Sequence, residues 1–189
     1  EVTNVPMLSK IAITGKPVYL SSGMSNWSEL DRAVKVLMEK GCPELTILQC
    51  TSDYPCLPEN AGLNILDELK TRYPGHKYGF SDHTLGKTIP IAAVCMGATV
   101  VEKHFTLSKE MYGSDAQFAS EPDELSNYCE SLKKAEIILS KDVNKDDLRP
   151  LVQMRKIFQK SILYSNNLKK GKKITLKNVV FLKPDKGIS

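Results

Sequence analysis

Two short runs end on histidine in the same way. "GFSDHTLG" at 79–86 places Ser81 and His83 two residues apart, and "VVEKHFTL" at 100–107 does the same with Glu102 and His104. Side chains alternate along a strand, so each pair shares one face. If the two strands are parallel neighbours, both imidazoles reach the same rim about 5 Å apart, a separation suited to ligands converging on one ion. The two histidines are 21 residues apart, one strand–helix repeat. A single such histidine is ordinarily a rim residue hydrogen-bonded to a carbonyl. Two at equivalent positions favour a site. His76, in the turn "YPGHKY", has no counterpart and reads as a surface residue.

Two imidazoles whose shell is completed by carboxylate, carbonyl or water oxygens suit a borderline divalent ion, Mn²⁺ first, with Mg²⁺ or Co²⁺ as alternatives; no thiolate set points to structural zinc. An ion with few protein ligands keeps positions open for substrate oxygen, which Lewis-acid polarisation of a carbonyl requires. The loop "YGSDAQF" brings Asp115 within reach of the same rim, as a turn former or as part of a site. Asp53 and Tyr54 in "CTSDYP" carry the same two readings.

These residues need a scaffold. From Lys16 to about Ser140 the chain alternates short β-rich runs with segments of helical period, the texture of βα units. "KPVYLSSG", "LTILQCTS", "KYGFSDH" and "TVVEKHFT" read as strands. Between them, "NWSELDRAVKVLMEKG" repeats Leu30, Ala33, Val34, Leu37 and Met38 on one helical face and stops at Gly41. "AGLNILDELKTRYPG", with Leu63, Leu66 and Leu69 on one face, and "GKTIPIAAVCMGA" are further helices, and "DELSNYCESLKKAEIILS" follows the last strand. The pattern predicts an α/β fold with a parallel sheet covered by helices, whose ligand site lies at the carboxyl ends of the strands. Each strand does end in polar residues: Ser21 and Ser22, Thr51 and Ser52, Ser81 and His83, Glu102 and His104. The charged "KDVNKDDLRP" then reads as a linker, 141–155, before a β-rich segment at 156–189.

The bulk composition narrows the classes. The chain has 189 residues, 41% hydrophobic and 25% charged, long enough for a proper core. The net charge of +4 owes much to "NNLKKGKKITLKN", which has no interleaved aromatics, so a solvated face explains it better than nucleic acid. Five scattered cysteines without CxxC spacing suit a reducing compartment. The longest apolar stretch, "IPIAAVCMGATVV", is too short for a bilayer, and the expected location is the cytoplasm, with no membrane partner.

With these stretches assembled, the chain resembles the sialic acid synthase family. The resemblance runs through "GKPVYLSSGM", "ILQCTSDYP", "GFSDHTLG", "IAAVCMGATVVEKHFTL", "GSDAQFASEPDEL", "LKKGKKITLKNV" and "LKPDKGIS", in family order over nearly the whole chain. It implies a (β/α)8 TIM-type barrel, whose C-terminal half is 1–140, followed by the start of a small β-rich antifreeze-like (SAF) domain, in a homodimer. It implies an enzyme condensing phosphoenolpyruvate with an N-acylated amino sugar, N-acetylmannosamine or a diacetamido hexose, to give a nine-carbon sugar and phosphate. His83 and His104 match the family's metal pair. Ser21, Ser52 and Ser81 match phosphoenolpyruvate contacts, although Ser52 is often Asn there. Tyr54, Asp115 and Glu1 match positions that hold the sugar, and His83, His104 and Asp115 are the expected catalytic set.

The chain departs from the family pattern in "LKPD", where many members have "KRPG": Lys183 stands at the position of an Arg that reaches into the partner's site, and Lys lacks the planar fork. The family's phosphate-neutralising lysines and most of the antifreeze-like domain are expected outside this chain, which on that reading is inactive alone. Two alternatives are weaker. A phosphoenolpyruvate–aldose phosphate condensing enzyme needs a second Arg and Lys cluster, and no Arg stands at a strand end. A non-catalytic half-barrel acting in packing or dimer contact would expose a sheet edge.

Overall fold

The computed structural model describes residues 1–164, 167 and 169–183. The chain divides into two compact units, Glu1–Lys141 and Asp142–Ser189.

In the first unit four strands, β1 (Val18–Ser21), β2 (Leu45–Cys50), β3 (Lys77–Asp82) and β4 (Val100–Lys103), form one parallel sheet in the order β1-β2-β3-β4. Sequential order with crossover helices winds the chain in one direction, as in a barrel, rather than in the two directions of a doubly wound sheet. The crossovers are α2 (Trp27–Glu39), α3 (Ile65–Arg72) and α4 (Thr88–Cys95), and α5 (Pro122–Leu139) follows β4.

Alternation sorts each strand into two faces. Val18, Leu20, Leu45 and Ile47 face the helices and pack with Leu30, Ala33, Val34 and Leu37 of α2 and Leu69 of α3. Phe80 continues this layer against Leu66 and Ala93. Of the predicted α2 stripe, Met38 is the correction: it is 42% exposed, because it lies at the stripe's edge, beyond the reach of the sheet. The opposite face carries Ser21, Cys50, Ser81 and Glu102, set by the register Cys50↔Ser81↔Glu102.

Local chemistry fixes the helix ends. Asn26 caps α2 by accepting the Glu29 N–H at 3.0 Å while the Glu29 carboxylate accepts the Asn26 N–H at 3.0 Å. The helix stops at Gly41 (φ +88°), with the Cys42 N–H donating to the Leu37 carbonyl and the Gly41 N–H to that of Met38. Asp31 of α2 accepts from Arg72 and Tyr73 at the end of α3, tying the two helices together.

A helix that the strand–helix reading passes over, α1 (Val5–Ala12), precedes β1. Asn4 caps it and Pro6 lies in its first turn, while Leu8 and Ala12 are buried against the same core. All five cysteines are free; Cys42, Cys50 and Cys56 are buried, whereas Cys95 and Cys129 are exposed.

In the second unit, α6 (Val152–Phe158) precedes an antiparallel pair, β5 (Ser161–Tyr164) and β6 (Val179–Leu182). The stretch read as a linker, 141–155, thus contains a 3-10 turn at Arg149–Leu151 and the start of α6. Lys183 Nζ stands 5.1 Å over the Phe158 ring. Among the described residues no helix is long and apolar enough to cross a membrane.

Candidate functional site

The carboxyl ends of β1 to β4 open onto a cavity of about 400 Å³. Glu1, Ser21, Ser52, Tyr54, Ser81, His83 and His104 all line it. All these predicted residues come together.

The two imidazoles stand edge to face, with centroids 5.1 Å apart and an interplanar angle of 89°. Each is oriented from behind. His83 Nδ1 lies 2.8 Å from the Thr51 carbonyl oxygen, which can only accept, so in the neutral ring Nδ1 carries the proton and Nε2 keeps its lone pair. His104 Nδ1 lies 3.4 Å from Asp115 Oδ2, and that carboxylate favours the same tautomer. Asp115 thus stands against His104 without itself lining the cavity.

Tyr54 packs its ring 4.2 Å from that of His83 and 5.6 Å from that of His104. Partial burial, then the neighbouring Cys50, Asp115 and Glu102, push its phenol above the ordinary range, so it enters the site as an O–H donor.

Several lining residues carry no role assigned from the sequence, and of these Glu102 bears most directly on the site. Glu102 accepts a 2.6 Å hydrogen bond from Ser81 Oγ and shares the cavity with both histidines. Its signal was present, since it stands two residues before His104 on the same face. The Thr51 contact had no signal, because a backbone carbonyl carries no residue identity. Ser22, also in the cavity lining, donates to Gln49 Oε1 and accepts the Cys50 N–H, fastening the ends of β1 and β2.

The donor set fits a divalent ion in part. Two imidazoles with free Nε2 lone pairs and second-layer partners at Nδ1 are a metal-ligand arrangement. Among the described residues no group of three or more His, Cys, Asp or Glu is placed to hold a metal, so oxygen from water or substrate would complete the shell. The described lining contains three carboxylates, Glu1, Glu29 and Glu102, and neither Lys nor Arg. Lys183 belongs to the second unit; residues 184–189, the rest of the "LKPDKGIS" match, lie outside the described residues.

A profile described as the NeuB family matches residues 1–144. The chain belongs to that family. It is 36% identical to the N,N'-diacetyllegionaminic acid synthase of Campylobacter jejuni, over the whole of this chain and 57% of that protein. It is 31% identical to the pseudaminic acid synthase of Helicobacter pylori, over the whole chain and 55% of that protein. The crystal structure of N-acetylneuraminic acid (sialic acid) synthetase from Leptospira borgpetersenii, in complex with citrate, superposes with a TM-score of 0.70 at 30% identity, covering 82% of this chain and 54% of the other. The chain spans about half the length of the curated relatives it matches. The family relation and the singly wound parallel sheet together make the first unit part of a barrel-type synthase fold.

Proposed function

We propose that this chain forms part of a synthase that condenses phosphoenolpyruvate with an N-acylated amino sugar, N-acetylmannosamine or a diacetamido hexose, giving a nine-carbon sialic-acid-type sugar and phosphate. The relatives named as diacetyllegionaminic and pseudaminic acid synthases support this class of product. The observation that carries the reading is the convergence of His83 and His104 at the carboxyl rim of the sheet, each held by a partner at Nδ1.

On this reading His83 and His104 hold a divalent ion, Mn²⁺ by preference, through Nε2. That ion supplies Lewis-acid polarisation of the sugar aldehyde. Ser21, Ser52 and Ser81 offer hydroxyls to phosphoenolpyruvate. Asp115 keeps His104 in its tautomer and, with Glu1 and the Tyr54 hydroxyl, orients the sugar; holding two substrates in attacking geometry is itself a large share of the acceleration. Glu102 beside Ser81 is placed to accept a proton from water adding to the cation that follows carbon–carbon bond formation.

The cavity's described lining is acidic, so the charge of the phosphate must be balanced by cations from elsewhere. This supports the proposal that the chain supplies the C-terminal half of a (β/α)8 barrel and is inactive alone. The second unit is proposed as the start of an antifreeze-like domain, the complete protein as a cytoplasmic homodimer, and Lys183 as a sugar contact offered to the partner subunit. The same acidic lining disfavours an aldose phosphate as second substrate.

The test is phosphate release from phosphoenolpyruvate by the complete protein, with N-acetylmannosamine and a diacetamido hexose in competition. His83→Ala and His104→Ala are each expected to abolish metal-dependent release. Unchanged turnover in either variant would sink the assignment.

A further inference from the structure

Between β3 and β4 the helix-facing layer is apolar at the Phe80↔Val101 pair and becomes ionic at the last rung. Asp82 ends β3 and Lys103 ends β4, and the two are paired in register. Their side chains meet at 3.1 Å, with Asp82 0% and Lys103 7% exposed. Every oxygen of Asp82 is engaged: Oδ1 accepts the Thr84 N–H at 2.9 Å and the Thr84 hydroxyl at 2.7 Å, and Oδ2 accepts from Lys103 and from the Tyr128 hydroxyl of α5 at 2.9 Å. Lys103 also donates to the Thr84 carbonyl oxygen.

Such a pair adds little net stability over an apolar pair of similar volume, so its presence calls for a geometric reason. The backbone supplies one. The β3–β4 ladder ends at Asp82 and Lys103, and the next residues are His83 and His104. Beyond that rung the strands part: the His83 carbonyl accepts from the Cys56 N–H, and the His104 carbonyl accepts from the Ser120 N–H. The histidines therefore sit on the two arms of a fork, and the ion pair lies at its crotch. Because side chains alternate, holding Asp82 and Lys103 outward turns Ser81, His83, Glu102 and His104 inward together.

We propose that Asp82, Lys103 and Tyr128 form a positioning latch that sets the spacing and orientation of the two imidazoles. None of the three lines the cavity of the histidines; the latch acts through His83 and His104, and so rests on the reading that these two work as a pair.

The test uses the complete protein with three readouts: thermal midpoint, Mn²⁺ affinity by electron spin resonance with the metal alone, and the imidazole ¹⁵N signals of the metal-free protein. In Asp82→Leu/Lys103→Met, an apolar pair of similar bulk, the fold is expected to persist. Mn²⁺ affinity should fall about tenfold or more, and the imidazole signals of His83 and His104 should move. Affinity within twofold of the unaltered protein together with unmoved signals would overturn the latch. If the double variant does not fold, Tyr128→Phe decides by the same readouts, with an expected loss of about threefold. If the unaltered protein shows no histidine-dependent Mn²⁺ binding, the proposed metal role fails separately, and the metal-free imidazole signals alone judge the latch: shifted signals uphold it and unmoved signals overturn it.

Discussion

Ser81 Oγ donates to Glu102 Oε1 at 2.6 Å, across the register pair that immediately precedes the Asp82↔Lys103 rung. This bond joins a proposed phosphoenolpyruvate contact to a carboxylate that lines the same cavity as both histidines, so substrate and carboxylate compete for one hydroxyl. Ser81→Ala should raise KM for phosphoenolpyruvate about tenfold, the loss of one charge-assisted hydrogen bond, while leaving Mn²⁺ affinity within twofold of the unaltered protein. Steady-state kinetics and a metal titration on the same variant check both halves.

Tyr54→Phe keeps the ring against His83 and removes only the hydroxyl. If that hydroxyl donates to the sugar, KM for the sugar should rise about three- to tenfold, the range of one neutral hydrogen bond, with KM for phosphoenolpyruvate unchanged. Equal changes in both would show that the hydroxyl does not select the sugar.

Gly79 is required by crowding, not by a turn. A Cβ there would stand 2.4 Å from Leu48 Cδ2 and, at 2.5 Å, nearly on the Val100 carbonyl oxygen. Gly79→Ala should destabilise the fold by about 1–3 kcal/mol or more, read as a lower midpoint in urea. Because Gly79 lies on β3 between the strands that carry the site, the variant should also weaken Mn²⁺ binding.

Asp31 joins α2 to the end of α3, and the Arg72 guanidinium beside it, helped by the Tyr73 hydroxyl against the opposing effect of burial, lowers its carboxyl to about 2. A carboxyl depressed in the folded state stabilises above its unfolded value of 3.8, and that contribution is lost as pH falls from there through about 2. Both side chains are 43% exposed, so the effect is small. Asp31→Asn should lower the thermal midpoint by about 2–4 °C at neutral pH and by progressively less as pH falls from 3.8 through about 2. A difference undiminished at pH 2 would assign the loss to packing.

Much of this was legible because two periodicities coincide. Alternation in "GFSDH" and "VVEKH", one repeat apart, was enough to bring His83 and His104 to one rim, and the stripe of Leu30, Ala33, Val34 and Leu37 gave the helix that backs the sheet. Helix α1 was passed over although Asn4 and Pro6 carry the chemistry of a helix start. Nothing in the residue types marks Asp82 and Lys103 as buried; the packing of Tyr128 from a helix 46 residues on reveals it. The tautomer of His83 depends on a backbone carbonyl and could not be read from residue types.

His83 and His104 are proposed to hold a divalent ion jointly. Mn²⁺ titration of the complete protein, followed by electron spin resonance, tests it beside His83→Ala, His104→Ala and the double variant. One site is expected in the unaltered protein, weakened by at least about tenfold in each single variant and lost in the double. Equal Mn²⁺ binding in all four proteins would contradict it.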